Sequence, residues 1–203
     1  MTEKIERFGI CFSAPSGAGK NVIINELRKD LTILQYLVSA TTRKKRGDEI
    51  HGVNYYFIEV ADFKQKVANN EFIEYEEVYK SILYGTLYSE IDTAIKNKNC
   101  PIFEIDVMGA KKLKEKLGEN MLSILIIPES VKKKKKQVLG RESNIDPKIL
   151  QERLEKAPFE IDFGKTFADF VVTNKYGELE KTVSTIKEIC TNFLKNKNLW
   201  VPH

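Results

Sequence analysis

The sequence predicts an α/β fold with a central, mostly parallel sheet, and three observations predict it. Short apolar runs alternate with longer stretches of helical periodicity along most of the 203 residues. The runs Phe8–Phe12, Pro101–Val107 and Met121–Ile127 are apolar at nearly every position, as strands covered on both faces are. The first run leads through a glycine-rich turn straight into a helical pattern. A hydrophobic content of 42% and a charged content of 31% suit one soluble globular domain with small inserted subdomains rather than a disordered chain. The net charge of +4 fits a small polyanionic ligand and does not require nucleic acid. No apolar run approaches the ~20 residues needed to span a bilayer.

Taken in order, Phe8–Phe12 is a buried strand and Asn21–Lys29 a helix with Ile24 and Leu27 inward. Pro101–Val107 is a second buried strand ending in acidic residues, and Met121–Ile127 a third, stopped by Pro128. Phe170–Val172 is expected as a fourth buried strand. The last helix is marked by Leu179, Val183, Ile186, Cys190 and Phe193, which step by four and three along one face. Two stretches break this rhythm. Residues 35–84 are rich in Tyr, Thr, Arg and Glu and read as an inserted, partly antiparallel subdomain with a helix near Ala61–Ala68. Residues 129–162 are highly charged and read as two helices joined by Gly140-Arg141-Glu142-Ser143, a polar pair outside the sheet suited to a helical lid. The core domain is then 1–34, 85–128 and 163–203. The cysteines Cys11, Cys100 and Cys190 are odd in number and lie in or beside apolar segments, as reduced core residues do. Met1–Arg7 carries no apolar h-region or cleavage site, so a cytoplasmic location is expected.

The chemistry begins at Ala14-Pro15-Ser16-Gly17-Ala18-Gly19-Lys20-Asn21. Between a strand and a helix, this nearly matches the phosphate cradle G-x-x-x-x-G-K-[ST], with Ala14 at the leading glycine and Asn21 at the hydroxyl position. Glycines let successive N–H groups turn toward phosphate oxygens, the lysine reaches the outer phosphates, and the helix N-terminus adds partial positive charge. A second basic feature is Arg43 and Arg46, three apart in a polar loop, where guanidinium forks suit phosphate oxygens and Tyr55 and Tyr84 offer hydroxyls. A solvated basic loop is the competing reading of that pair.

The order of motifs resembles the guanylate kinase family over nearly the whole chain. The resemblance runs through Phe12 to Lys20, Val38 to Arg46, Gly52-Val53-Asn54-Tyr55-Tyr56-Phe57, Glu71-Phe72-Ile73-Glu74-Tyr75 and Tyr84-Gly85-Thr86. It continues in Ile105-Asp106-Val107, Pro128 to Val131, Gly140-Arg141, Glu152-Arg153-Leu154 and Asn174. What it implies is a three-layer P-loop fold whose inserted subdomain, 35–84, binds GMP and whose segment 129–162 is the lid. It further implies phosphoryl transfer from ATP to GMP with Mg²⁺, in a monomer or homodimer with no nucleic-acid or membrane partner. By position, Ser16, Gly17, Ala18, Gly19, Lys20, Asn21 and Asn174 match the ATP site. Ser39, Glu74, Thr86 and Asp106 match the surroundings of guanine, and Arg43, Arg46, Tyr55 and Tyr84 match the holders of its phosphate. Lys20, Arg141 and Arg153 match the cations around the transferring group.

Four departures fall mainly on the ATP side. Asn21-Val22 replaces a hydroxyl residue, Glu104 stands where the family usually has Asp, and Gln137 replaces a lid arginine. Lys175-Tyr176-Gly177 follows Asn174 where two acidic residues are typical. Asn21 and Glu104 are the candidate Mg²⁺ ligands, through an amide and a carboxylate oxygen. The competing expectation is a module that binds GMP or a phosphorylated partner and transfers phosphate poorly; a kinase of another nucleoside monophosphate is disfavoured by Glu74 and Asp106.

Overall fold

The computed structural model describes residues 5–15, 17–78, 82–129 and 147–199, without the side chains of Val78 and residues 147–154. Ser16, the lysine run 132–136, Gln137, the turn at 140–143 and Arg141 lie outside the described residues, as does the side chain of Arg153.

The chain begins with β1 (Gly9–Ser13), α1 (Lys20–Asp30), β2 (Leu34–Tyr36), β3 (Ala40–Thr41), β4 (Tyr56–Phe57) and α2 (Val60–Ala68). Next come β5 (Phe72–Val78), β6 (Ile82–Leu87), α3 (Tyr88–Lys96), β7 (Cys100–Glu104), α4 (Val107–Leu117) and β8 (Met121–Pro128). The final elements are α5 (Pro147–Lys165), β9 (Phe170–Asn174) and α6 (Leu179–Asn196).

Five strands form a parallel sheet in the order β2-β7-β1-β8-β9. Alternation along β1 sorts the core into two layers. Ile10 and Phe12 pack with Ile24 and Leu27 of α1 and Ile186, Cys190 and Leu194 of α6. Cys11 points the other way, toward Ile91 of α3 and Ala110 and Leu113 of α4. Helices therefore cover both faces, and β1 is buried at every position. All three cysteines are buried free thiols, and burial pushes Cys11 and Cys190 up to about 12.

Residues 40–87 contain a second sheet, β4-β3-β6-β5, in which β6 runs antiparallel to both its neighbours. Ala40, Phe63 of α2 and Phe72 form its small core, with the two phenylalanine rings stacked 4.4 Å apart.

Two element expectations need correction. The strand expected through Val107 ends at Glu104, because Asp106 caps α4: its Oδ1 accepts from the Gly109 N–H at 2.8 Å. The Phe170–Val172 strand is not fully buried; β9 is the sheet edge, and Phe170 and Val171 are exposed while Val172 packs inward. Apart from these, α5 runs through Pro158 to Lys165 and β6 to Leu87.

Candidate active site

The glycine turn leaves β1 at the carboxyl end of the parallel sheet, where open α/β sheets form their ligand crevice. Gly17 and Gly19 sit at φ 74° and 85°, the left-handed region in which a side chain is strained. Gly19 precedes α1, so the helix's unpaired N–H groups face the turn. Lys20 opens α1 and its Nζ donates to the Ile105 carbonyl at 3.2 Å, 3.9 Å from Glu104 Oε1. Burial lowers the Lys20 pKa, and Glu104 is the leading influence that opposes it. Asn21 follows on the exposed first turn.

Asn174, at the end of β9, reaches back to this loop. Its Nδ2 donates to the Ala18 carbonyl at 2.9 Å, and a Cβ on Gly19 would lie 2.7 Å from that nitrogen. The side chain is therefore a brace of the turn, a contact that the sequence motif alone does not show.

Across the crevice, the second sheet gathers Arg43, Tyr55 and Tyr84. Arg43 is 9% exposed; its Nε donates to Tyr84 Oη at 3.2 Å, and its guanidinium lies 5.4 Å from the centre of the Tyr55 ring. The Tyr55 and Tyr84 rings are edge-on at 5.8 Å. Glu49 receives both Arg43 terminal nitrogens, at 2.9 and 2.8 Å, and the Arg46 backbone N–H at 2.8 Å. That pairing holds the Glu49 carboxyl down at about 2 and raises Arg43 further. The Arg46 side chain is exposed. Glu49 was not singled out from sequence; its one signal was a carboxylate closing an otherwise basic loop.

At the other end of this sheet Glu74 pairs across the ladder with Thr86, whose Oγ1 donates to Glu74 Oε1 at 2.7 Å. Burial raises the Glu74 carboxyl, partly offset by Thr86. A register shift between Phe72 and Glu74 lets Phe72 and Ile73 both bury and re-aims the strand for Glu74. Gly85 is required opposite: a Cβ there would meet Phe72 at 2.8 Å and the Glu74 carbonyl at 2.9 Å. Asp106 stands at the start of α4, exposed, with Oδ1 on Gly109.

A cavity of about 470 Å³ joins the two sheets, and its walls include Asn21, Ser39, Tyr55, Thr86, Glu104 and Ile105. The geometry thus gathers Lys20, Asn21, Glu104 and Asn174 on one side and Arg43, Tyr55, Tyr84, Glu74 and Thr86 on the other.

A glycine cradle and its lysine, set at the carboxyl ends of parallel strands, put the chain in the class of P-loop nucleotide-binding α/β proteins. Within that class the guanylate kinase family model matches residues 7–192, and the chain belongs to that family. It is 39% identical over 181 residues to a guanylate kinase of Bacteroides fragilis, covering 88% of each chain. It is also 42% identical over 188 residues to a guanylate kinase of Mesomycoplasma hyopneumoniae, covering 89% of this chain and 92% of that one. The crystal structure of guanylate kinase from Anaplasma phagocytophilum superposes with a TM-score of 0.66 at 25% identity, covering 98% of both chains.

Proposed function

We propose that this protein transfers the γ-phosphoryl group of ATP to GMP, giving ADP and GDP. The observation that carries the reading is a cavity lined from both sheets, by Asn21 and Glu104 beside the Lys20 turn and by Ser39, Tyr55 and Thr86 opposite, with the Arg43–Tyr84 and Glu74–Thr86 pairs on that second sheet. Phosphoryl transfer needs little covalent help from a protein; it needs alignment of donor and acceptor, and positive charge around the moving group. Lys20, partly desolvated and pre-positioned by Ile105, supplies a fixed cation on the ATP side. Gly17, Gly19 and, by motif, Ser16 present their N–H groups to the phosphates, Ala18 holds the turn through its N–H on the Pro15 carbonyl at 3.1 Å, and Asn21 and Asn174 complete that side.

On the acceptor side Arg43, Arg46, Tyr55 and Tyr84 take the GMP phosphate. Ser39, Glu74, Thr86 and Asp106 take guanine. The Glu74 carboxylate suits the adjacent N1–H and 2-amino donors of guanine; adenine lacks that pair, and an unmatched buried carboxylate is costly. Arg141 and Arg153 are assigned to the transferring group on family position alone.

Asn21 and Glu104 line one cavity wall and offer only oxygen donors beside the lysine, a set that fits Mg²⁺. When bound, Mg²⁺ would neutralise charge on the ATP phosphates. The three buried thiols support a reducing, cytoplasmic setting.

A coupled assay of ADP formation from ATP, Mg²⁺ and GMP tests the reading, with AMP, CMP and UMP as controls. Turnover with GMP alone is expected, and Lys20→Ala should lower kcat by ~10³-fold or more while GMP affinity by calorimetry stays. Equal turnover with AMP would sink the guanine assignment. GMP binding without turnover would favour the binding-module reading, which the amide at Asn21 otherwise supports.

A further inference from the structure

Glu90 stands on α3 and has no part in the function just described, yet both of its oxygens serve the chain that enters the second sheet. Oε2 accepts from the Val38 N–H at 3.2 Å, and Oε1 accepts from the Tyr56 hydroxyl at 2.9 Å. Val38 belongs to residues 37–39, which cross from β2 of the parallel sheet to β3 of the second. Tyr56 opens β4, and its own N–H donates to the Ser39 carbonyl at 2.9 Å. Ser39 is thus held from two directions. Glu90 fixes its neighbour Val38, and the residue that takes its carbonyl meets the same carboxylate through its side chain. A carboxylate in the first turn of a helix also suits the helix dipole. That role needs no particular rotamer, whereas bonds to residues 52 and 34 positions away select one. The support is fixed at its base, because Ile91 beside Glu90 is fully buried in the core with Cys11 and Leu113. Leu37, Val38 and Ser39 all line the cavity that the two sheets share.

We propose that Glu90 is a positioning residue of the acceptor site: by holding Val38 and Tyr56 together it sets the backbone of Ser39, and so places Ser39 on the cavity wall that takes the guanine of GMP. The proposal rests on the acceptor-site reading above. Residues 37–39 form no strand, so they depend on side-chain anchors for what a ladder gives its members. A wall segment fixed before the ligand arrives loses little freedom on binding, and the affinity is higher for it. Hydrogen bonds to a charged partner are the stronger kind, which suits a single carboxylate to hold two segments. Removing Glu90 takes away both supports at once. The Lys20 turn lies on β1 and α1 and makes no use of them, so the effect belongs to the acceptor alone.

The test is GMP affinity by calorimetry together with steady-state kinetics. Glu90→Ala should weaken GMP about tenfold and raise its KM alike, with kcat and the KM for ATP nearly unchanged, a split that general destabilisation would not produce. Glu90→Gln should keep GMP affinity, since its amide oxygen can accept from Val38 and its amide nitrogen can donate to the Tyr56 hydroxyl. Ser39→Ala should weaken GMP by a similar factor, and Glu90→Ala added to it should weaken it little further. Tyr56→Phe, which loses one of the two bonds, should weaken GMP about threefold, and this comparison stands even if Glu90→Ala fails to fold. Unchanged GMP affinity in folded Glu90→Ala or in Tyr56→Phe, a Glu90→Gln loss equal to that of Ala, or full additivity with Ser39→Ala overturns the proposal and leaves the acceptor-site reading in place. A wild-type protein that binds no GMP overturns that reading, and this proposal with it.

Discussion

Arg43 illustrates how one buried cation is held in place by its neighbours. Tyr84 orients its Nε, Glu49 holds its terminal nitrogens, and the Tyr55 ring lies close by. Because Glu49 also takes the Arg46 N–H, it shapes the whole basic loop. Glu49→Gln should therefore raise the KM for GMP about tenfold with kcat nearly unchanged, the mark of lost uniform binding in steady-state kinetics. The linked pH effect has a definite sign. The Glu49 carboxyl is depressed to about 2 in the folded protein, so its stabilisation is present above the ordinary carboxylate range. It is lost as pH falls toward about 2, where acid-unfolding curves of wild type and Glu49→Gln should converge. Glu74 works the opposite way: its carboxyl is raised by burial, so ionising it opposes folding as pH rises, a cost consistent with a group kept for its ligand. Lys20 and Glu74 were legible from motif position. Glu49 was not, because a carboxylate among charged neighbours reads as solvated until its partner across the loop is known.

The glycine turn is secured by an element far away in sequence. Gly19 needs φ 85°, and Asn174 from β9 fills the space where a side chain would start. Gly19→Ala should cost ~1–2 kcal/mol from backbone strain alone, with steric conflict against Asn174 added. Asn174→Ala removes that conflict, so in urea unfolding the double variant should be less destabilised than the sum of the singles, by ~0.5 kcal/mol or more. Strict additivity would show that the two residues are independent. Apolar runs revealed β1, β7 and β8 because both faces of those strands are covered. They misled at β9, where an edge strand leaves Phe170 and Val171 exposed. The end of β7 was also misjudged, since the apolar run passes through Ile105 to Val107 while the Asp106 cap starts a helix there.

At the scale of the molecule, two sheets of different design meet at a cavity, with the glycine turn on one and Arg43 beside the other, so the proposed reaction draws on both. Ligand binding and folding are therefore linked. GMP at 100 times its Kd should stabilise the protein by about 2.7 kcal/mol. That should raise the calorimetric Tm by roughly 5–10 °C for a domain of this size. Guanosine, which lacks the phosphate proposed to engage Arg43, should give a clearly smaller rise at the same concentration. The sequence by itself determined the parallel α/β core, the phosphate cradle and the family, because apolar periodicity and ordered short motifs are properties of neighbours along the chain. Only the tertiary structure decided that Asn174 braces the cradle and that Glu49 clasps Arg43. Those contacts join elements through cross-strand register and loop closure, and their energies depend on distance and burial, which no local stretch of sequence specifies.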